Sequence, residues 1–264
     1  MQSAAWDQRI QRAEELARLF PFAAEILRFY SVVARFQKAL YGYIHQAHQK
    51  SPPSRVFRDS LDLSLLLPRF SGFLNTVKEA APPQLADCAA RLSAEPEARW
   101  EELLSAFWLG AKDLPHAHAF CARAFLQPYA AFVAARLAAP LGQGETATCP
   151  VCDSEPVVGV LREEQLGARR SFICSLCAYE WSFPRAVCPG CGEHRNEALA
   201  VFTSDNFVYV RVEACDTCKC YIKTVDLTRN GLAVPVVDEL AAVPLTLWAQ
   251  EHGYIKLQPN LLAV

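Results

Sequence analysis

The stretch that decides the fold runs from Cys149 to Cys220 and contains four C-x-x-C motifs: Cys149-Pro-Val-Cys152, Cys174-Ser-Leu-Cys177, Cys188-Pro-Gly-Cys191 and Cys215-Asp-Thr-Cys218. A C-x-x-C turn brings two thiolates within reach of one metal ion, so each motif supplies half of a tetrahedral site with four sulfur ligands. Successive motifs are separated by 21, 10 and 23 residues, and each longer interval has room for two strands that leave one motif and return with the next. The spacing therefore predicts two metal sites, one formed by Cys149, Cys152, Cys174 and Cys177 and the other by Cys188, Cys191, Cys215 and Cys218.

These cysteines favour a metal over disulfides. Met1 leads directly into an amphipathic helical pattern, without a basic segment followed by an apolar core, so we expect a cytoplasmic protein whose thiols stay reduced. Two short lobes bury too little apolar surface to be stable by themselves, and closed four-cysteine sites would supply the missing free energy. Iron and zinc both accept four sulfur ligands in a tetrahedron, so the spacing leaves the identity of the metal open.

The composition indicates a globular chain and argues against binding to nucleic acid. Of the 264 residues 52% are hydrophobic, yet no apolar run approaches the roughly 20 residues that span a bilayer, so we expect no membrane insertion. The net charge of −2 is uneven: residues 1–148 carry 16 Lys and Arg against 14 Asp and Glu, whereas residues 149–264 carry 10 against 14. A nucleic-acid-binding zinc ribbon needs clustered positive charge, and the cysteine-rich half has the opposite sign.

The chain before the cysteines has helical periodicity. From Trp6 to about Leu137 the apolar residues recur every three or four positions, which predicts a bundle of about six helices, one of them with Pro68 in its first turn. Around the cysteines the period changes to two, which predicts a small sheet for each four-cysteine site. The predicted fold class is α+β, with an N-terminal all-α helical bundle followed by two small rubredoxin-like (zinc-ribbon-like) β lobes and a C-terminal helix.

These changes of pattern divide the chain into five predicted segments. They are a helical bundle domain (1–139), a linker (140–145), a first rubredoxin-like metal lobe (146–186), a second rubredoxin-like metal lobe (187–234), and a C-terminal helix and tail (235–264). The C-terminal segment predicts one helix over about 237–250, where Asp238 and Glu239 are explained by their favourable interaction with the helix dipole. Cys220 is left over once both sites are filled, and we interpret it as an inert thiol, with redox or sulfur chemistry as the alternative.

The order of these features resembles a known family. The bundle, the Cys149 motif, Glu180-Trp181, the segment from Cys188 to Gly192, and the Cys215 motif followed by Tyr221-Ile222-Lys223 are similar to the formate dehydrogenase accessory proteins of the FdhE type. The resemblance implies a maturation factor for respiratory formate dehydrogenase, which binds the catalytic subunit in the cytoplasm before its export. It also implies that the eight C-x-x-C cysteines serve this work in two rubredoxin-like lobes, with one iron ion at each four-cysteine site and zinc as the alternative metal.

The predicted function is that of an accessory protein, with an electron-transfer protein as the alternative. We expect an accessory, chaperone-like protein and not an enzyme, because a closed site of four cysteines leaves no coordination position for substrate or water. No catalytic residue and no organic-cofactor site is predicted. The alternative is a rubredoxin-like electron-transfer protein, against which the large helical domain argues. The expected partner is the catalytic subunit of formate dehydrogenase, nucleic acid is not expected as a partner, and formation of a homodimer is left open.

Overall fold

A computed structural model of the chain describes residues 2–48, 54, 56–111, 113–137, 146–164 and 167–263. The predicted linker at 140–145 lies outside these residues. The helical part follows the predicted periodicity, and Phe70 lies in its core with its ring centroid 4.8 Å from that of Phe125. Its helices in the described residues are α1 (Gln2–Leu19), α2 (Ala24–Ala47), α3 (Leu63–Ala80), α4 (Pro83–Ala94), α5 (Glu97–Trp108) and α6 (His116–Leu137).

Helix α3 begins earlier than the sequence suggested. The carboxylate of Asp62 accepts a hydrogen bond from the backbone N–H of Leu65 at 3.1 Å, which caps the helix and places its first residue at Leu63. Pro68 therefore lies inside the helix, and its expected position in the first turn is wrong. Leu66 and Leu67 are buried in the turn before it, and this burial favours the longer helix although proline supplies no N–H.

The strands form one sheet, in the order β3-β2-β1-β6-β5-β4, with β7 also paired to β6. The fold class is confirmed as α+β with two zinc-ribbon-like lobes, but the expectation of a separate sheet for each lobe is wrong. The reason is that β1 of the first lobe pairs in parallel with β6 of the second, where Gly159 faces Thr224. The strands are β1 (Pro156–Glu164), β2 (Gly167–Cys174), β3 (Glu180–Ser182), β4 (Leu199–Phe202), β5 (Val210–Cys215), β6 (Cys220–Asp226) and β7 (Ile255–Lys256).

The junction between the lobes requires a glycine. A Cβ atom at position 159 would overlap the hydroxyl of Thr224 and lie 3.2 Å from its Cβ. Thr224 is fully buried, and its hydroxyl has no hydrogen-bond partner among the described residues. The absence of a side chain at Gly159 therefore allows β1 and β6 to approach and join the lobes.

We expect Gly159→Ala to lower the free energy of unfolding by about 1 to 3 kcal/mol, because the added methyl group overpacks a buried contact. Thr224→Ala should cost little, since it removes an unpaired hydroxyl, and it should restore part of the stability of the Gly159→Ala variant. Urea unfolding of the two single variants and the double variant measures this coupling. Gly42→Ala is the control, because among the described residues no atom beyond its chain neighbours and the adjacent backbone of α2 lies within 4 Å of the added carbon. Additive effects of the two substitutions would contradict the proposed contact.

The C-terminal residues form two helices where one was expected, α7 (Pro235–Ala241) and α8 (Val243–Glu251). The backbone leaves the helical region at Ala242, with φ −80° and ψ 47°, and Pro244 has no N–H to continue the hydrogen bonds of α7. The tail then packs back on the body of the protein, as β7 pairs with β6 and the guanidinium of Arg123 donates to the carbonyl of Pro259 at 3.0 Å.

Asp238 is a buried carboxylate that joins α7 to α1 and to the sheet. Its Oδ1 accepts a hydrogen bond from Nη2 of Arg12 at 2.6 Å, and Nε of Arg12 donates to both carboxylate oxygens. The hydroxyl of Tyr209 donates to the same Oδ1 at 2.8 Å. The expected helix-start role of Asp238 is confirmed, because it lies in the first turn of α7 and its Oδ2 accepts from the N–H of Val234 at 2.7 Å. The dipole alone is an incomplete explanation, since Arg12 of the first helix compensates its charge.

Glu239 forms a second buried ionic contact. Its interpretation through the helix dipole is wrong, because Glu239 lies beyond the first turn of α7 and its charge is compensated by lysines. Its carboxylate lies 3.0 Å from the ammonium group of Lys223, and both side chains are completely buried. Lys256 contacts the same carboxylate. Burial by itself would raise the pKa of Glu239, but the charges of Lys223 and Lys256 outweigh it and hold the pKa below its ordinary value. The pair fastens α7 to β6.

The hydrophobic core is shared between the helices and the first lobe. Phe125 of α6, Phe172 of β2 and Trp181 of β3 belong to one buried cluster. A second cluster lies between the sheet and α8 and includes Val212 and Leu245. The segment boundaries after residues 139, 145, 186 and 234 stay predictions. Among the described residues, no helix is long and apolar enough to cross a membrane.

Candidate metal centres

The first four-cysteine group lies where the two ends of the β1–β2 hairpin meet. Cys149 and Cys152 precede β1, whereas Cys174 ends β2 and Cys177 follows it in a turn. The sulfur of Cys152 lies 3.4 Å from that of Cys174 and 3.5 Å from that of Cys177, and the sulfurs of Cys149 and Cys177 are 3.6 Å apart. The backbone N–H groups of Leu176 and Cys177 donate to the sulfur of Cys174.

The second four-cysteine group repeats this arrangement at the β4–β5 hairpin, where Cys188 and Cys191 precede β4, Cys215 ends β5 and Cys218 follows it in a turn. The sulfurs of Cys188 and Cys218 are 3.7 Å apart, as are those of Cys191 and Cys215. The N–H of Gly190 donates to the sulfur of Cys188 at 3.3 Å. The eight cysteines thus form the two groups that the spacing of the motifs predicts.

Each of the four turns is completed by a residue in the left-handed conformation. These residues directly follow the second cysteine of each motif and have φ between 57° and 76°. In three of the turns the N–H of this residue donates to the carbonyl of the first cysteine at 2.8 to 2.9 Å. The repeated backbone directs both sulfurs of a motif to one point. The four residues are Asp153, Ala178, Gly192 and Lys219.

The distances between the sulfurs fit a tetrahedral metal ion. A metal–sulfur distance of about 2.3 Å in a regular tetrahedron places the sulfurs about 3.8 Å apart. The measured separations of 3.4 to 3.7 Å are close to this value. All four ligand atoms of each group lie within 4.8 Å of one another, so both groups could hold a metal ion. Which metal they bind, and the ligation itself, stay predictions.

The pKa values of the four thiols diverge because their sulfurs are crowded into one buried site. Burial is the main cause that raises the pKa of Cys174 well above its ordinary value, and the neighbouring Cys149 does the same for Cys177. Hydrogen bonds, first of all with Cys149, lower the pKa of Cys152 far below its ordinary value. Four buried thiolates repel one another, and a divalent cation between them compensates this repulsion.

The two centres differ in exposure. Every cysteine of the first group is at most 3% exposed, and the helical bundle contacts its turns. Nη2 of Arg58 donates to the carbonyl of Cys152 at 2.7 Å, and the side-chain amide of Gln127 donates to the carbonyl of Ser175 at 2.9 Å. In the second group Cys191 is exposed and Cys218 is partly exposed. The first centre is therefore part of the protein core, and the second faces solvent.

We expect a chelator to remove the metal of the second centre first, because the chelator can reach Cys191 and cannot reach the first group. Incubation with EDTA, gel filtration and metal analysis should show two phases of one equivalent each. The variant Cys191→Ser should have lost the fast phase and kept the slow one. Release of both equivalents in a single phase would contradict the difference in access.

Sequence reasoning missed the buried charges of Asp238, Glu239 and Lys223, whereas it did single out Cys220. The buried contacts of Asp238 and Glu239 were missed, although the two acids stand in an otherwise apolar stretch from Val234 to Val243, which was an available signal. Cys220, which the spacing left over, begins β6 and is partly exposed. Lys223 is completely buried, and nothing in its local sequence indicates this.

The helical domain and the two four-cysteine lobes on one sheet define a class of two-centre, zinc-ribbon-like proteins, and the comparisons with known proteins narrow this class. The model of the FdhE central domain matches residues 148–185, and that of the FdhE C-terminal domain matches residues 187–263. The predicted resemblance to the FdhE type of formate dehydrogenase accessory proteins is therefore confirmed, with both lobes matched by FdhE domain models.

Individual relatives extend the match to the helical part. An FdhE homolog of Aquifex aeolicus is 29% identical over 267 residues, which is 96% of this chain and 93% of the relative. A homolog of Shewanella oneidensis is 37% identical over 117 residues, or 44% of this chain and 38% of the relative. The crystal structure of the FdhE protein from Pseudomonas aeruginosa superposes with a TM-score of 0.74 at 24% identity, covering 99% of this chain and 96% of that one, and shows the same fold.

Proposed function

We propose that this protein is a chaperone-like maturation factor for respiratory formate dehydrogenase, and that it binds the catalytic subunit of that enzyme in the cytoplasm before export. The match to the FdhE family supports formate dehydrogenase as the client. The sulfur geometry of the two four-cysteine groups supports a role that depends on bound metal. The observation that carries the proposal is the match of both FdhE models to the two lobes, since these lobes contain all eight C-x-x-C cysteines.

We further propose that all eight cysteines are metal ligands, four to each mononuclear centre. Iron at such a centre would supply a one-electron couple, whereas zinc would supply only cohesion. The chain itself contributes the turns that direct the sulfurs, the N–H groups that donate to Cys174 and Cys188, and the burial of the first centre. The first centre then stabilises the fold, and the second is the centre that the client can approach.

The proposal assigns no enzymatic step to the protein. Four cysteines occupy all positions of a tetrahedral ion, so substrate or water has no place to coordinate. The action of the protein is then binding and release of the immature subunit. Its site of action is proposed to be the cytoplasm, where reduced thiols persist.

Affinity purification tests this proposal. The tagged protein is isolated without oxygen from a host that respires formate, and its companions are identified by mass spectrometry. We expect the catalytic subunit of formate dehydrogenase, and we expect its loss when Cys188 and Cys191 are both replaced by serine. The control is Cys88→Ser, since Cys88 lies in α4 and belongs to neither four-cysteine group. Failure to recover the subunit while the host makes it would contradict the proposal.

Light scattering of the same preparation determines whether the protein is a homodimer.

A second candidate function is that of a rubredoxin-like electron-transfer protein. The exposure of Cys191 favours it, because electrons transfer readily only at centres that a partner can approach closely. This candidate requires iron at the second centre and reversible reduction of that iron. Metal analysis after anaerobic purification distinguishes the two candidates, since zinc alone would exclude electron transfer and leave the maturation role intact.

A further inference from the structure

A cavity of about 280 Å³ lies beside the second four-cysteine group, on one face of the sheet. Side chains two apart on a strand share a face, so Arg211, Glu213 and Cys215 of β5 lie on the same side. The segment between the lobes and the C-terminal tail form the walls.

Arg170 lies in this cavity as a buried cation with one unused donor. It is 3% exposed, and its Nη1 donates to the carbonyls of Pro184 and Val187 at 2.8 and 3.2 Å. Its Nη2 lies 2.7 Å from the carboxylate of Glu213. Its Nε is buried and has no hydrogen-bond partner among the described residues. This atom is closed off from the cavity, so Arg170 acts as a fixed positive charge in its wall, and the accessible donors are those of Arg185 and Arg211.

The arginine and glutamate side chains around the cavity together carry a net positive charge. Arg170, Arg185 and Arg211 face a single carboxylate, that of Glu213, which already accepts hydrogen bonds from Nε and Nη2 of Arg211. Arg185 is exposed, and its Nη1 donates a hydrogen bond of 3.3 Å to the carbonyl of Ala168. These four side chains sum to +2, in a half of the chain that sums to −4. Cys188 and Cys215 also line the cavity, and a divalent ion with four thiolates adds a charge of −2, so an anion is attracted only where it contacts the guanidinium groups directly.

The remaining walls of the cavity are apolar. They are formed by Val187, Leu199, Val201, Ile222 and Leu257. Val201 is 54% exposed, so the cavity presents hydrophobic surface as well as cationic groups. A volume of 280 Å³ is near the lower end of the range of about 300 to 1,000 Å³ for ligand pockets, which suits a molecule with about one ring.

We propose that this cavity binds a small carboxylate, with the carboxylate group at the arginines and a compact apolar body against the valine and leucine side chains. Arginine guanidinium groups are suited to carboxylates because their planar donors match the two oxygens. The apolar walls favour an organic acid over an inorganic anion, which would leave them uncovered. This site is independent of the proposed function, because it requires neither the client nor a particular metal.

Cys220 provides a reporter for the site. It lies on the cavity wall and is partly exposed, so an alkylating reagent can reach it. Trypsin cleaves after Lys219 and Lys223, which places Cys220 in a four-residue peptide that contains no other cysteine. Mass spectrometry of this peptide measures the alkylation of Cys220 without interference from the eight C-x-x-C cysteines.

The experiment measures the rate at which iodoacetamide alkylates Cys220 in the metal-loaded protein, with benzoate or with its neutral analogue benzamide. We expect benzoate to slow the reaction about tenfold at saturation and benzamide to have little effect. A divalent ion with four thiolates carries a charge of −2, which by itself repels benzoate, so protection must come from the arginines. Sodium chloride at the same ionic strength controls for screening.

Arg185→Gln should abolish most of the protection, and this exposed residue can be replaced without disturbing the fold. Arg195→Gln is the matched control, because it removes the same charge from an exposed arginine ten residues further along the chain that does not line the cavity. Equal protection by benzoate and benzamide, no protection by either, or equal effects of the two variants would overturn the proposal. A second probe is an acetylated tripeptide that ends in phenylalanine, compared with the same peptide as its C-terminal amide. Stronger protection by this peptide than by benzoate would identify a chain terminus as the better source of the carboxylate. Protection by the free carboxylate form but not by the amide also supports the site.

Discussion

Cys174→Ser is expected to unfold most of the protein, including the helical bundle, although it lies in the sheet. The sulfur of Cys174 is buried, and the first four-cysteine group belongs to the same hydrophobic core as α6. A structural metal site contributes about 10 to 16 kcal/mol of apparent binding free energy, which is comparable to the whole stability of a domain. Loss of one buried ligand should therefore remove one metal equivalent and leave the core packing of the bundle unsupported.

Circular dichroism during guanidinium unfolding measures this effect, together with metal analysis. Cys191→Ser is the matched control, because it removes one ligand from the exposed second centre and should leave the helical signal and its midpoint nearly unchanged. Where the Cys174 variant is insoluble, the soluble yield of the two variants gives the same comparison. Equal losses of stability in both variants would show that the two centres contribute alike, against the difference in burial.

Glu239→Gln is expected to cost about 3 to 5 kcal/mol of stability, the typical effect of removing one partner from a buried ion pair. The substitution preserves the shape of the side chain but leaves the ammonium group of Lys223 buried without its counter-charge. Lys223 has three further hydrogen-bond acceptors, the carbonyls of Glu239 and Ala242 and the hydroxyl of Thr246, which keep the group in place but supply no counter-charge.

Burial lowers the pKa of Lys223 to about 8 even with Glu239 present. In the variant the pKa should fall further, so Lys223 loses its proton nearer to neutral pH. The folded pKa lies below the unfolded value of 10.5, so the unfolded state binds more protons between these values. The stability of the wild-type protein should therefore rise as the pH increases from about 8 toward 10.5, and in Glu239→Gln this rise should begin at lower pH.

Urea unfolding at several pH values measures both effects. The control is Glu102→Gln, which removes a carboxylate from an exposed pair with Arg99 and should change stability by less than about 1 kcal/mol. Lys223→Met should cost less than Glu239→Gln, because Lys256 still compensates the carboxylate of Glu239. A Glu239→Gln variant as stable as the Glu102→Gln variant would refute the structural importance of this pair.

Much of the metal-centre geometry could be predicted from the sequence. The C-x-x-C turns are short local structures, completed by a left-handed residue and a backbone hydrogen bond to the first cysteine. The intervals of 21 and 23 residues are long enough for one hairpin each, so the partner of each motif follows from chain length. Helical periodicity likewise located the bundle, because a face that packs on a core must recur every three or four residues.

Other features could not be predicted because they depend on contacts that the local pattern does not reveal. Whether Pro68 begins a helix or lies inside it was decided by the cap at Asp62 and by the burial of Leu66 and Leu67. The pairing of β1 with β6 depends on the absence of a side chain at Gly159 opposite Thr224. A glycine in a β-rich run gives no indication of which strand approaches it.

The sequence by itself determined which cysteines form each group and where the helices lie, because these features come from local turns and from one repeating period. Only the tertiary structure decided that the two lobes share a sheet, that Asp238 meets Arg12 across 226 residues of sequence, and that Arg170 reaches Glu213 at the cavity. The physical reason is that burial and charge compensation depend on which distant surfaces come together, and no local pattern of residues specifies that.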